Sequence, residues 1–265
     1  MKLFDATLDL ARFAKGTEDY TISAVTGNQI TCNELAGRAA EFGGGTIWIR
    51  TGDGAGQFGR IKSSMGQTII TDDTFTGLAA GDQITIGAWL EFDTQKLINA
   101  INAVLSTYKI VLFNSELEYT PEAEIYELPE GVTHDIRRVI ICPEWNHMDR
   151  IVICHFWKLV DNNYIQFYGH KKYPEGTPVG IYYVDVHGPV YKDTESIEYN
   201  INPQVDPLYL RYMAWLYLCR NLIQNTHKDN LVSSDMYNEA KIYERDYGTR
   251  PNKTLGMRDF TFPSW

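Results

Sequence analysis

The stretch Thr46-Ile-Trp-Ile-Arg-Thr-Gly-Asp-Gly-Ala-Gly-Gln-Phe-Gly-Arg-Ile-Lys-Ser-Ser-Met-Gly-Gln-Thr-Ile-Ile-Thr71 admits two readings. Inside it, Gly54-Ala-Gly-Gln-Phe-Gly59 satisfies the pattern GxGxxG and comes after a strand-like run. A dinucleotide site needs a helix to begin there, with its N-terminus aimed at the pyrophosphate. The next residues are instead Arg60-Ile-Lys-Ser-Ser-Met-Gly-Gln-Thr-Ile-Ile70, a strand, a glycine turn and another strand. The stretch is therefore a glycine-rich hairpin, and neither a nucleotide nor any other cofactor is expected.

The same punctuation extends both ways. Alternating runs at Tyr20–Val25, Thr46–Arg50, Phe58–Lys62, Gln67–Thr71 and Gln83–Ile86 are separated by Gly27-Asn28, Gly52-Asp-Gly54, Met65-Gly66 and Gly81-Asp82. That pattern predicts a twisted antiparallel module of five or six strands. It also accounts for the placing of 14 of the 21 glycines before residue 90. Ahead of the module, Leu3, Ala6, Leu10 and Ala14 are spaced as a short helix ending at Gly16.

Beyond the module the period changes. Asp93 can cap a helix whose one face carries Leu97, Ile101, Val104, Leu105 and Tyr108, and this helix is expected to link two β parts. From Lys109 to about Asn200, strand-like runs at Ile110–Phe113, Arg138–Cys142, Arg150–Trp157, Tyr164–Tyr168 and Gly180–Val184 predict a second antiparallel β-sandwich or meander. Asp206-Pro207 is an N-cap followed by proline at the first helical position. The helix it opens is apolar around most of its circumference. A second helix carries Met236, Ala240, Tyr243 and Tyr247, the two forming an expected C-terminal αα-hairpin. The chain closes on an aperiodic aromatic stretch, Phe260-Thr-Phe-Pro-Ser-Trp265. The class is thus α+β, with expected divisions at 1–91, 92–250 and an extended tail at 251–265.

Charge and composition exclude several functions. Lys+Arg of 24 against Asp+Glu of 34 gives a net charge of −10, which argues against a protein that grips duplex DNA by neutralising phosphates. Asp5, Asp9 and Arg12 interrupt the N-terminal apolar residues, so no signal-peptide core is expected, and no run reaches the ~18 to 20 apolar residues of a membrane span. A soluble chain made in the cytoplasm is the expectation. Cys32, Cys142, Cys154 and Cys219 lack framework spacing and read as reduced thiols.

No catalytic constellation emerges. Cys142, His147, Cys154 and His155 are close in sequence, but neighbours on a strand point to opposite faces and neither CxxC nor HxxxH occurs, so no metal is expected. No G-x-S-x-G elbow is present. Glu116 to Asp135 holds seven acidic residues and no Lys or Arg, which reads as a solvated edge; a carboxylate pair for glycan hydrolysis is the competing reading. The aromatics of Tyr164-Ile-Gln-Phe-Tyr168 and Tyr182-Tyr183 suit core and cross-strand packing, or stacking on a sugar or base.

Three stretches together carry a likeness. They are Gly59-Arg-Ile61 with Gly66, Ile69-Ile70, Phe75 and Leu78-Ala-Ala-Gly-Asp-Gln-Ile-Thr-Ile86; Pro207-Leu-Tyr-Leu-Arg-Tyr-Met-Ala-Trp-Leu-Tyr-Leu218; and Met236-Tyr-Asn-Glu-Ala-Lys-Ile-Tyr-Glu244. Their order resembles the head-to-tail connector, or adaptor, proteins of tailed bacteriophages, although the simplest of those are smaller and nearly all helical. The resemblance implies a virion protein without catalysis, made in the host cytoplasm. It would form a ring, commonly twelve-fold, between the portal protein and the tail or neck proteins, with DNA passing through non-specifically and no membrane involved. The interface residues it suggests are Tyr209, Met213, Trp215 and Leu216 on the helix and Phe260, Phe262 and Trp265 in the tail. A β-rich tail-tip module binding host carbohydrate is the alternative, and a glycan hydrolase ranks behind it.

Overall fold

The computed structural model describes all residues except 15, 37, 39–41, 88–92, 122, 142–151, 169–172, 192–200, 223–234 and 248–265. The chain divides into two compact units: Met1–Tyr108 with the described residues from His187 onward, and Lys109–Val186. This division differs from the expected boundary near residue 91, because the helix after the β-module packs among the other helices of the first unit.

The first unit opens with α1 (Leu3–Phe13), followed by a seven-stranded antiparallel sheet. Its strands are β1 (Thr17–Thr21), β2 (Ala24–Thr26), β3 (Gln29–Thr31), β4 (Thr46–Ile49), β5 (Phe58–Met65), β6 (Thr68–Thr71) and β7 (Gln83–Gly87), in the order β1-β7-β4-β5-β6-β3-β2. The run predicted at Tyr20–Val25 is two strands and β3 falls in no predicted run, which is why seven strands stand where five or six were expected. Two-residue loops join β2 to β3 at Gly27-Asn28 and β5 to β6 at Gly66-Gln67. In each loop the first central residue is a glycine at positive φ, +62° and +64°, as a hairpin turn matched to strand twist requires.

One apolar cluster takes Tyr20 from β1 at one end of that order and Ile30 from β3 near the other, with Val25 of the end strand β2 packed against it, together with Ile47, Ile49, Ile61, Ile69, Ile84 and Ile86 from between them. The sheet therefore curls around its own core. The outer side of its centre is covered by helices. Trp48 Nε1 donates to Thr7 Oγ1 on α1 at 3.0 Å, Phe58 meets Phe4 edge-on, and Thr46 shares a hydroxyl hydrogen bond with Thr94. Thr94 opens α2 (Thr94–Leu105), where Asp93 accepts from the Gln95 N–H as the expected cap. Leu97, Ile98, Ala100, Ile101, Val104 and Leu105 are buried, so α2 is a core helix of the first unit.

The chain returns to this unit at His187 and forms α3 (Pro207–Tyr217), capped by Asp206 through the Leu208 N–H. A π-helical turn at Leu218–Leu222 extends it. The last described element is α4 (Asp235–Tyr247). Tyr212 stacks on Tyr243, Asp206 accepts from the Tyr243 hydroxyl, and Arg220 pairs through two bonds with Glu244, holding that carboxyl below its usual range. Asp206 and Arg220 lie about 20 Å apart along a helix axis. Between these two contacts the Tyr212 hydroxyl donates to Glu239, so α3 and α4 pack against each other; residues 223–234, which join them in the expected αα-hairpin, lie outside the described residues.

The second unit has two antiparallel sheets. One, in the order β11-β10-β14-β8, is built from β8 (Lys109–Tyr119), β10 (Ile136–Ile141), β11 (Val152–Cys154) and β14 (Thr177–Val186). The other, in the order β12-β13-β9, is built from β9 (Ile125–Glu127), β12 (Trp157–Val160) and β13 (Tyr164–Phe167). Tyr119, Val139, Ile141, Val179 and Ile181 of the first sheet share one core with Tyr126 and Ile165 of the second.

Candidate interaction surface

The surface that stands out is the outer face of β12-β13-β9. Strand alternation divides its side chains cleanly. Trp157, Phe167, Ile165 and Tyr126 turn into the shared core. Their neighbours form three cross-strand rows on the other face, set by the ladder register. Val160 stands beside Tyr164 and Glu127, and Lys158 beside Gln166 and Ile125. Beyond the ladder's end the Tyr168 N–H donates to the Phe156 carbonyl at 3.0 Å, which makes the third row.

Large apolar side chains on this face are well exposed: Phe156 60%, Tyr168 50%, Ile125 49% and Tyr164 39%. Phe156 and Tyr168 meet edge-to-face with centroids 6.3 Å apart, a favoured geometry for an aromatic pair. Of the polar members, Gln166 sits between Tyr164 and Tyr168, Lys158 beside Gln166, and Glu127 beside Tyr164. Exposed apolar side chains gathered on one face mark an interaction site more often than scattered single residues do.

The two turns that build the face arise from local sequence. Asp161-Asn-Asn163 joins β12 to β13, and Asp161 and Asn162 take positive φ of 52° and 60°, which Asp and Asn tolerate better than other side chains. The turn fixes the pairing of Val160 with Tyr164, and every residue after it inherits its side of the sheet. The sequence left Tyr164 and Tyr168 open between core packing and stacking on a ligand, with core the default for aromatics in strands, and the structure exposes both. The available signal was Gln166, a polar residue in phase with both tyrosines and out of phase with Ile165 and Phe167.

The other expected sites fall elsewhere. Trp215 and Leu216 are buried in the first unit, with Phe13 edge-on to Trp215 at 6.1 Å. Tyr209 and Met213 are half-buried. Tyr209 packs edge-on against Tyr108 at 5.3 Å, and burial pushes its hydroxyl above the usual range. The apolar circumference of α3 is covered largely within its own unit, by α1, α2 and α4, and so calls for no neighbouring copy. Phe260, Phe262 and Trp265 lie outside the described residues, as do Cys142 and His147.

Gly54–Gly59 runs through a turn, with Gly56 at φ +94°, into β5, in agreement with the hairpin reading. Burial pushes the Cys154 thiol up, while the adjacent His155 is exposed. Among the described residues no group of three or more His, Cys, Asp or Glu is placed to hold a metal ion. Glu116, Glu118, Glu124, Glu127 and Glu130 are all exposed, as a solvated acidic edge would be. No helix among the described residues is long and apolar enough to cross a membrane. Compared with known proteins, the chain matches no protein-family model and no curated protein.

Proposed function

We propose that the chain is a structural virion protein of a tailed phage, a head-to-tail connector that forms a ring between portal and tail and acts through its interfaces. The observation that carries this reading is the outer face of β12-β13-β9, where Phe156, Tyr164, Tyr168 and Ile125 are held ready on a rigid sheet. Aromatic and aliphatic side chains of this kind form the cores of protein interfaces. The order of blocks supports it too: a glycine-punctuated β-module, a capped helix, further sheets and C-terminal helices. The net charge of −10 suits a passage that DNA crosses without adhering.

Light-scattering mass and negative-stain images of the purified chain, with and without the cognate portal protein, test the proposal. Rings, alone or seated on the portal, are expected. A monomer that ignores the portal overturns it. One observation favours a second reading, carbohydrate binding at a tail tip: Gln166 lies between the exposed rings of Tyr164 and Tyr168, with Lys158 and Glu127 beside them, as hydrogen-bonding groups do around a stacked sugar. Saturable glycan binding by a stable monomer or trimer is the outcome that reading expects.

A further inference from the structure

Resting on the connector reading, we propose that the outer face of β12-β13-β9 is the seat for the C-terminal tail of a neighbouring copy of the same chain. The face is apolar, exposed and framed by anions. Among the described residues, Glu127 lies in it, Glu130 follows β9, and Asp161 stands at the β12–β13 turn, against the cation Lys158. The chain continues for 18 residues beyond α4, and this segment carries Arg250, Lys253 and Arg258 against Asp259. Tail and face are therefore of opposite charge, and each supplies aromatic surface that water penalises.

The spacing of the rings fits as well. Phe260 and Phe262 are two apart, so an extended tail turns both to one side about 6.6 Å from each other. That is also the spacing of successive rows on the face, between Tyr164, Gln166 and Tyr168, so the two phenyl rings can enter between rows. Pro263 comes directly after and has no N–H to give a ladder, which favours docking on a face over addition of a strand to a sheet edge. Fully extended, 18 residues reach about 60 Å, enough to leave one copy and cover the next. Only a neighbour's tail links copies, which is what a ring requires of a heterologous contact.

Two full-length variants test this. Gln166→Cys puts a thiol in the middle row of the face, and Phe262→Cys puts one on the side of the tail that is to meet it, with Phe260 left in place. When the variants are mixed at high concentration and oxidised, a disulfide-linked dimer is expected whose crosslinked peptides contain positions 166 and 262. Adding Tyr164→Ser and Tyr168→Ser to the first variant is expected to cut the yield at least tenfold, with an unchanged circular dichroism spectrum showing that the fold is retained. No mixed product, or the same yield with the serines present, overturns the inference. So does a crosslink that forms only within one chain carrying both thiols, or a glycan that binds the face equally well with and without the tail. Rings without the crosslink leave the connector reading standing, and the crosslink without rings leaves only the tail contact.

Discussion

Strands β4 and β13 are each four residues long and each is paired on both sides, yet they meet opposite surroundings. All four residues of β4 are buried. Ile47 and Ile49 point into the core around which the sheet curls, while Thr46 and Trp48 lie under α2 and α1. Strand β13 buries Ile165 and turns Tyr164 outward, although a tyrosine on a bare sheet face exposes aromatic surface to water. The difference lies in the second layer. A strand covered on both sides serves stability, and an aromatic strand covered on one side is available to a partner.

The sharpest way to break this contrast is to truncate the ring that β4 places under the helix. Trp48→Ala removes a fully buried side chain and a partner of Thr7. A loss of about 3–5 kcal/mol is expected, read as a lower midpoint in chemical denaturation. A loss under about 1 kcal/mol would mean that the helical layer does not seal the sheet.

A second effect emerges only at high pH. Burial, with the nearby charge of Glu34 adding to it, pushes the Cys32 thiol in the first unit's core up to about 12 from an ordinary value of 9.0. Between those values the unfolded chain loses this proton and the folded chain keeps it, so stability falls as pH rises through that window and is unaffected below it. Thermal melts across pH 8 to 11 are expected to show a decline that Cys32→Ala reduces. An identical decline in the variant would place the titration on other groups.

The smallest effect belongs to the bare face. Tyr164→Ser with Tyr168→Ser is expected to change stability by no more than about 0.5 kcal/mol per site while lowering any association measured by light scattering. A large loss of stability would show that these rings hold the fold together, and the distinction between the two strands would fail.

Much of this contrast is legible in the chain itself. Thr46-Ile-Trp-Ile49 and Tyr164-Ile-Gln-Phe167 differ in one decisive place, Gln166, and the glycine hairpins and aspartate caps carry their own geometry. Asp93 and Asp206 cap where the sequence puts them. What stays hidden is the assignment of layers. That α2 joins the first unit depends on contacts with α1 and α3, which are distant in sequence and leave no local mark. The apolar circumference of α3 suggests a partner and cannot say which. Here α1, α2 and α4 supply most of the cover, and Trp215 is in the core where an interface was expected.

The claim that this chain joins a phage head to its tail is tested most directly by the position of the chain in an intact particle. Cryo-electron microscopy is predicted to place it in a closed ring directly beneath the portal, with the outer face of β12-β13-β9 covered by a neighbouring chain. Copies confined to the tail tip with that face open to solvent would contradict it, and so would particles that lack the chain.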